Sequence, residues 1–173
     1  MMVRCCCCGR CGCCAVQHLL SPPCTCLILT RGAGPVLASH KTALLEQSDV
    51  VVCSLPGTPD TKHFFSESEF GAMKDGAIFI SLGRGVAVDE HALVRALGGG
   101  RLTGAALDVF ETEPLPPDSP LWGVGDEKLL LTAHNADYTE SYFRLGWDVW
   151  AANLRAHLLG EPLVTPVDKA AGY

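Results

Sequence analysis

No stretch of this sequence approaches about 18 uncharged apolar residues, so a membrane-spanning helix is not expected. Charge is sparse as well. Only 18% of the residues are Asp, Glu, Lys or Arg, and the formal net charge of −6 argues against nucleic acid as a partner, because phosphate binding needs a basic face. Acids are missing altogether from residues 1–45, where Arg4, Arg10, Arg31 and Lys41 stand and the first carboxylate, Glu46, has not yet been reached. Cysteine is nearly absent from the rest: nine of the ten lie between Cys5 and Cys26, and only Cys53 comes later. Both breaks fall on one side of residues 35–45 and mark a boundary there.

Residues 1–38 therefore read as a low-complexity, Cys-rich leader that is disordered, residues 39–165 as one domain, and residues 166–173 as a tail. Thiolates spaced as Cys5–Cys8, Cys11, Cys13 and Cys14 are would-be ligands for a soft metal. Adjacent cysteines suit a disulfide framework poorly, since bridge geometry is rarely met at neighbouring positions. An acid-poor, Arg-containing start is compatible with organelle targeting, and clustered cysteines with S-acylation. The plain reading is a leader with no folded role, so no metal site is assigned and a cytoplasmic location is the default. At 173 residues, 48% of them hydrophobic, the chain has room for one domain with a real core.

From residue 39 the pattern is orderly. Ser39 is placed to cap a short helix through Leu44 and Leu45, and Asp49–Leu55 is a continuous β-branched run expected of a strand buried on both faces. Ser66 and Glu69 have capping-box spacing ahead of Phe70 and Met73. Ala77–Leu82 reads as a second strand, Asp89 and Glu90 as the start of a helix stopped by Gly98, Gly99 and Gly100, Thr103–Val109 as a third strand and Leu129–Thr132 as a fourth. Asp137 with Glu140 has the spacing to cap the longest helix, whose Phe143, Trp147, Trp150, Leu154 and Leu158 recur at helical steps and are expected in the core. Gly160 and Pro162 close it.

Strands and helices alternating at this spacing imply an α/β fold with a parallel sheet and right-handed crossovers. In such sheets ligands bind beyond the carboxyl ends of the strands. The residues at those ends are Gly83 and Arg84, then Asp108 to Glu113, then His134. The set suits interconversion of a 2-keto acid and a 2-hydroxy acid. Arg84 offers a planar fork for a carboxylate. His134 can give a proton to a carbonyl oxygen or take one from a hydroxyl, and a neighbouring carboxylate, Glu113 or Asp108, would favour its charged form and orient it. The hydride has to come from a cofactor, since no side chain supplies one.

Four segments carry a resemblance: residues 46–60 (EQSDVVVCSLPGTPD), 73–97 (MKDGAIFISLGRGVAVDEHALVRAL), 104–116 (GAALDVFETEPLP) and 129–137 (LLLTAHNAD). In order and spacing they resemble the NAD(P)-dependent D-2-hydroxyacid dehydrogenases, a family that includes phosphoglycerate dehydrogenases and glyoxylate/hydroxypyruvate reductases. The resemblance implies a Rossmann-type cofactor domain joined to a smaller substrate domain, NAD or NADP as cofactor, a small 2-hydroxy or 2-keto acid as substrate, and a homodimer through the cofactor domain. It implies that Arg84 binds the substrate carboxylate and that Glu113, the acid directly before Pro114, partners the catalytic His134. It also implies that Asp108 contacts the nicotinamide end, and that Pro56, Leu82, Gly83, Asn135 and Ala136 line the nucleotide. Glu111 is the competing choice in the same loop.

The departures are specific. The family has Asn at Ser81, Pro at Ala133 and a small residue at Asp137. The glycine fingerprint G-x-G-x-x-G is not met either: Gly32-Ala33-Gly34 follows Leu27–Thr30, but Pro35 intrudes and residue 37 is Leu. The expectation is a partial Rossmann-type parallel sheet whose first half is missing, a weak hold on cofactor, and an apolar sheet edge left open at Asp49–Leu55, which favours aggregation or dependence on a partner. A non-catalytic remnant or nucleotide-dependent interaction module is the alternative to an active oxidoreductase.

Overall fold

The computed structural model describes residues 3–5, 26–30 and 41–170. The chain divides into two units, Met1–His134 and Asn135–Tyr173. In the first, six strands lie in one sheet in sequence order: β1 (Val3–Cys5), β2 (Cys26–Thr30), β3 (Val50–Ser54), β4 (Ala77–Ser81), β5 (Leu102–Leu107) and β6 (Leu129–Leu131). β1 runs antiparallel to β2, and all other neighbours are parallel. The α/β parallel sheet expected from the alternation of elements is therefore present.

Helices α1 (Glu67–Ala72) and α2 (Glu90–Gly98) follow β3 and β4 and cover the sheet. The core is apolar and aromatic. Phe79, at the centre of β4, is fully buried, with its ring 4.8 Å from Phe65 and 5.1 Å from Phe70 of α1, centroid to centroid. Leu93 and Leu97 bring one face of α2 onto the same core, beside Val51, Cys53, Leu102 and Leu107. These are the apolar positions of runs too short to span more than a strand or two turns, and burial on both faces is what a parallel sheet demands of them.

The helix starts follow local chemistry. Asp89 caps α2 by accepting the Ala92 N–H at 2.9 Å. At α1 the Glu69 carboxylate reaches back to the Ser66 N–H at 3.0 Å and takes the Ser66 hydroxyl at 2.6 Å. It also meets the Lys41 ammonium at 2.6 Å, which in turn lies over the Phe64 ring. Burial alone would push this carboxyl up, but Lys41, Ser66 and Ser68 together hold it at about 2.

Part of the leader is described. Two of its segments, β1 and β2, join the sheet, and β2 pairs with β3 from Cys26 opposite Val50 to Thr30 opposite Ser54. The edge expected to be open at Asp49–Leu55 is thus hydrogen-bonded, since residues 26–30 upstream supply the missing partner. The tract Cys6–Cys24, Gly32-Ala33-Gly34 and the capping position Ser39 lie outside the described residues.

The second unit holds helix α3 (Tyr142–Leu159), closed by Gly160 at φ 68°. Its tail is tied back by Asn153, whose side chain accepts from Val164 N–H at 3.0 Å and donates to the Thr165 hydroxyl at 2.8 Å. Two expectations are corrected. The helix begins at Tyr142 after Ser141, so Asp137 does not cap it; the intervening residues form turns, with the Thr139 N–H on the Asp137 carbonyl at 2.9 Å. Trp147 and Trp150 are not core residues. They are 64% and 54% exposed and pack on each other, because the apolar stripe of α3 has no covering layer within its own unit. Among the described residues no helix is long and apolar enough to cross a membrane.

Truncating Phe79 to Ala is expected to cost about 3–5 kcal/mol in urea unfolding, as the aromatic cluster loses its centre. The Glu69 carboxyl sits below its ordinary value of 4.5, so its bonds stabilise the fold fully above that pH and are lost as the pH falls toward 2. The unfolding midpoint of the unaltered chain should drop across that window, and that of Glu69→Gln should drop less.

Candidate active site

Because β3 to β6 run parallel, the residues leaving their carboxyl ends gather along one edge of the sheet. At the end of β4 the backbone is held on both sides. The Ser81 carbonyl accepts the Asp108 N–H at 3.0 Å, and the Leu82 N–H donates to the Cys53 carbonyl at 2.9 Å. Gly83 follows where any side chain would collide: a Cβ there would lie 2.4 Å from the Leu55 carbonyl oxygen. Two residues later, a Cβ on Gly85 would lie 1.9 Å from the Phe110 carbonyl carbon. Glycine at these positions lets the loop after β4 press against the loops after β3 and β5.

Arg84, between the two glycines, is exposed and donates one guanidinium N–H to the Gly83 carbonyl at 2.9 Å. Asp108, at the end of β5, is only 3% exposed and takes the Thr132 hydroxyl at 2.5 Å. After β6 the backbone enters the left-handed region at His134, φ 51°, a conformation uncommon for a side-chain-bearing residue and one that tends to mark functional turns. That turn brings His134 Nδ1 to 2.8 Å from Glu113 Oε2, while Glu113 Oε1 accepts the Phe110 N–H at 3.0 Å. The hydrogen bond from His134 is the main reason the Glu113 carboxyl lies below its usual range; the Phe110 N–H and the positive charge of Arg84 add to it, against a smaller effect of burial. With Nδ1 turned to the carboxylate, Nε2 is the nitrogen left for a reacting group.

A cleft of about 660 Å³ opens beside this pair, walled by Phe110, Leu115, Trp122 and Leu131. The arrangement combines a cationic fork, an oriented imidazole and an apolar wall, which suits binding a small carboxylic acid and moving a proton at the oxygen borne by the carbon next to its carboxylate.

Of the residues expected from the sequence, Arg84, Asp108, Glu113 and His134 come together on this edge. Leu82 is 46% exposed there, and the Pro56 carbonyl is occupied by the Thr61 hydroxyl at 2.6 Å. Asn135 and Ala136 open the second unit, where the Asn135 carbonyl accepts the Tyr138 N–H at 3.0 Å. Glu111 is bound elsewhere, to His63 Nε2 at 2.9 Å. Sequence reasoning passed over His63, Glu90 and Thr132. Thr132 was within reach, two residues before His134 at a strand end; His63 lies 48 residues from its partner and left no local sign.

Residues 34–136 match the family model described as D-isomer specific 2-hydroxyacid dehydrogenase, NAD binding domain. The chain belongs to this family. Over 78 residues it is 55% identical to a probable 2-ketogluconate reductase of Dictyostelium discoideum, an overlap of 45% of this chain and 23% of that protein. A D-isomer specific 2-hydroxyacid dehydrogenase from Xanthobacter autotrophicus, solved with NADPH and MES, is 38% identical with a TM-score of 0.71, covering 78% of this chain and 54% of that one. An NADPH-dependent glyoxylate/hydroxypyruvate reductase from Sinorhizobium meliloti, solved with NADP and sulfate, is 35% identical with a TM-score of 0.71, over 79% and 43%. The chain spans 23%, 39% and 47% of the length of three curated relatives.

The described residues fit the nicotinamide end of a dinucleotide. Leu82 is exposed and apolar at the sheet edge, Gly83 leaves the backbone bare beside it, and Asp108 offers a carboxylate already oriented by Thr132. Gly83→Ala is expected to lower stability by about 3 kcal/mol in thermal or urea unfolding, because the collision is with backbone that cannot rotate away.

Proposed function

We propose that this member of the D-2-hydroxyacid dehydrogenase family is an NAD(P)-dependent oxidoreductase acting on the CH–OH group of D-2-hydroxy acids, running toward reduction of 2-keto acids such as glyoxylate or hydroxypyruvate. The observation that carries the reading is the 2.8 Å contact of Glu113 with His134, with Arg84 near enough to act on the same carboxyl. A homodimer through the cofactor domain belongs to the same proposal.

In this reading Arg84 holds the substrate carboxylate, using the N–H groups that Gly83 does not engage. Glu113 keeps the imidazole in one orientation and favours its charged form. His134 Nε2–H then donates the proton to the keto oxygen as the carbonyl carbon is reduced, and the reverse transfer serves oxidation. Leu82, Gly83 and Asp108 would hold the nicotinamide cofactor, which would supply the hydride when bound.

The test is consumption of NADH and of NADPH, at millimolar cofactor so that a weak hold does not hide turnover, with glyoxylate and hydroxypyruvate. His134→Gln should reduce turnover by roughly 10²- to 10⁴-fold, while Arg84→Ala should act chiefly by raising KM. Absence of turnover in the unaltered chain, or equal rates in His134→Gln, would overturn the assignment. Dinucleotide binding without turnover would favour the interaction-module reading.

A further inference from the structure

Three segments meet behind the Glu113–His134 pair. The segment 63–65 is stitched to the loop after β4: the His63 N–H donates to the Val86 carbonyl at 2.8 Å, and the Phe65 N–H to the Ala87 carbonyl at 2.9 Å. That loop carries Arg84, and its Gly85 is in backbone contact with Phe110. The third segment, residues 110–113, is gripped from two further directions. Glu90, the first residue of α2, accepts the Glu111 N–H on Oε1 at 2.8 Å. His63 Nε2 meets Glu111 Oε1 at 2.9 Å.

We infer that Glu90 and His63 are positioning residues, which clamp the 110–113 loop against Gly85 and so hold Glu113 in line with His134 and beside Arg84. The first-turn carboxylate of α2 is well suited to this. It is half-buried, it stands on a helix end capped by Asp89, and it takes a main-chain N–H in the loop that α2 itself does not contain. The placement comes at an electrostatic cost. Burial, followed by the charges of Glu111 and Asp89, pushes the Glu90 carboxyl up, and the N–H of Glu111 and the charge of His91 pull it back. A carboxylate kept in such company needs a partner to justify it, and the Glu111 N–H is that partner. His63 sits at φ 48°, so the ring is presented to Glu111 from a left-handed turn whose N–H is already tied to Val86. Both contacts act on the loop two residues before Glu113, close enough that a small rotation there would swing Glu113 Oε2 away from the imidazole.

The word catalytic for the pair rests on the function proposed above; the clamp itself does not. It is therefore tested without cofactor or substrate, by following the carboxyl carbon of Glu113 by NMR through a pH titration of the full chain. Removing a neighbouring negative charge by itself makes a carboxyl more acidic. Loss of the clamp does the opposite, since Glu113 leaves His134. The structure predicts that Glu90→Ala moves the Glu113 titration upward by on the order of half a pH unit, and that Glu90→Asp, which keeps the charge but is one methylene too short, does the same. Glu90→Gln, whose amide oxygen still accepts the Glu111 N–H, should not. The Phe110 amide, bonded to Glu113, should exchange faster in Glu90→Ala and Glu90→Asp than in Glu90→Gln. If Glu90→Ala does not fold, the Asp and Gln variants decide between them. An unchanged Glu113 titration in the Ala or Asp variant, or all variants moving alike, would overturn the clamp. Where turnover is measurable, kcat should fall roughly 10- to 100-fold in Glu90→Ala with KM changing less. An inactive chain with a shifted Glu113 would refute the proposed activity and leave the clamp standing, whereas an active chain with an unmoved Glu113 would do the reverse.

Discussion

The approach of backbone to backbone at Gly85 and Phe110, so close that a methyl group would lie 1.9 Å from a carbonyl carbon, is the constraint on which the candidate site depends. It brings the loop after β4 into register with the loop after β5. One loop carries Arg84 and the other carries Glu113, so a contact without any functional group in it decides whether the two charges share a site. Gly83 performs the same service toward the loop after β3. The side chains of Arg84, Glu113 and His134 are exposed; the glycines beneath the loops restrict where their backbone can go.

Above that constraint the site is built by hydrogen bonds that run between strand ends. Ser81 holds Asp108 by its N–H, Leu107 holds Thr132, and Thr132 holds the Asp108 carboxylate. His134 then turns through the left-handed region onto Glu113. The deeper core needs no such network. Phe65, Phe70 and Phe79 fill it by shape, and Leu93 and Leu97 seal α2 onto it. The two kinds of interaction are thereby divided in space: apolar packing at the middle of the strands, polar ties at their carboxyl ends.

Much of this was legible in the order of residues. Short β-branched runs ended by Pro or Gly marked β3 and β4 to within a residue, since burial on both faces leaves little room for polar residues. Asp89 before Glu90, and Ser66 before Glu69, marked helix starts, since capping is local chemistry. Arg84, Glu113 and His134 stood out because each follows a strand. Strands β1 and β2 were not foreseen because β2 pairs with residues far along the chain, Cys26 with Val50 for example, and compositional oddity says nothing about a backbone partner. Trp147 and Trp150 were misjudged because a helical stripe predicts which face is apolar, not whether anything covers it. Asp137 had the right spacing for a cap, but turns at Asn135 to Thr139 delay the helix to Tyr142.

By itself, then, the sequence determined the α/β class, the family and most of the elements from β3 to β6, because period, capping and strand-end motifs act over a few residues. The pairing of Glu113 with His134 was implied by the family resemblance; only the tertiary structure decided what holds each of the two carboxylates of that loop in place. Glu111 and Glu113 are two residues apart and chemically alike, and the choice between them is made by His63 and Glu90 on one side and His134 on the other. Those partners lie 48, 21 and 21 residues away along the chain, at separations where sequence pattern fades and only the folded backbone sets distance.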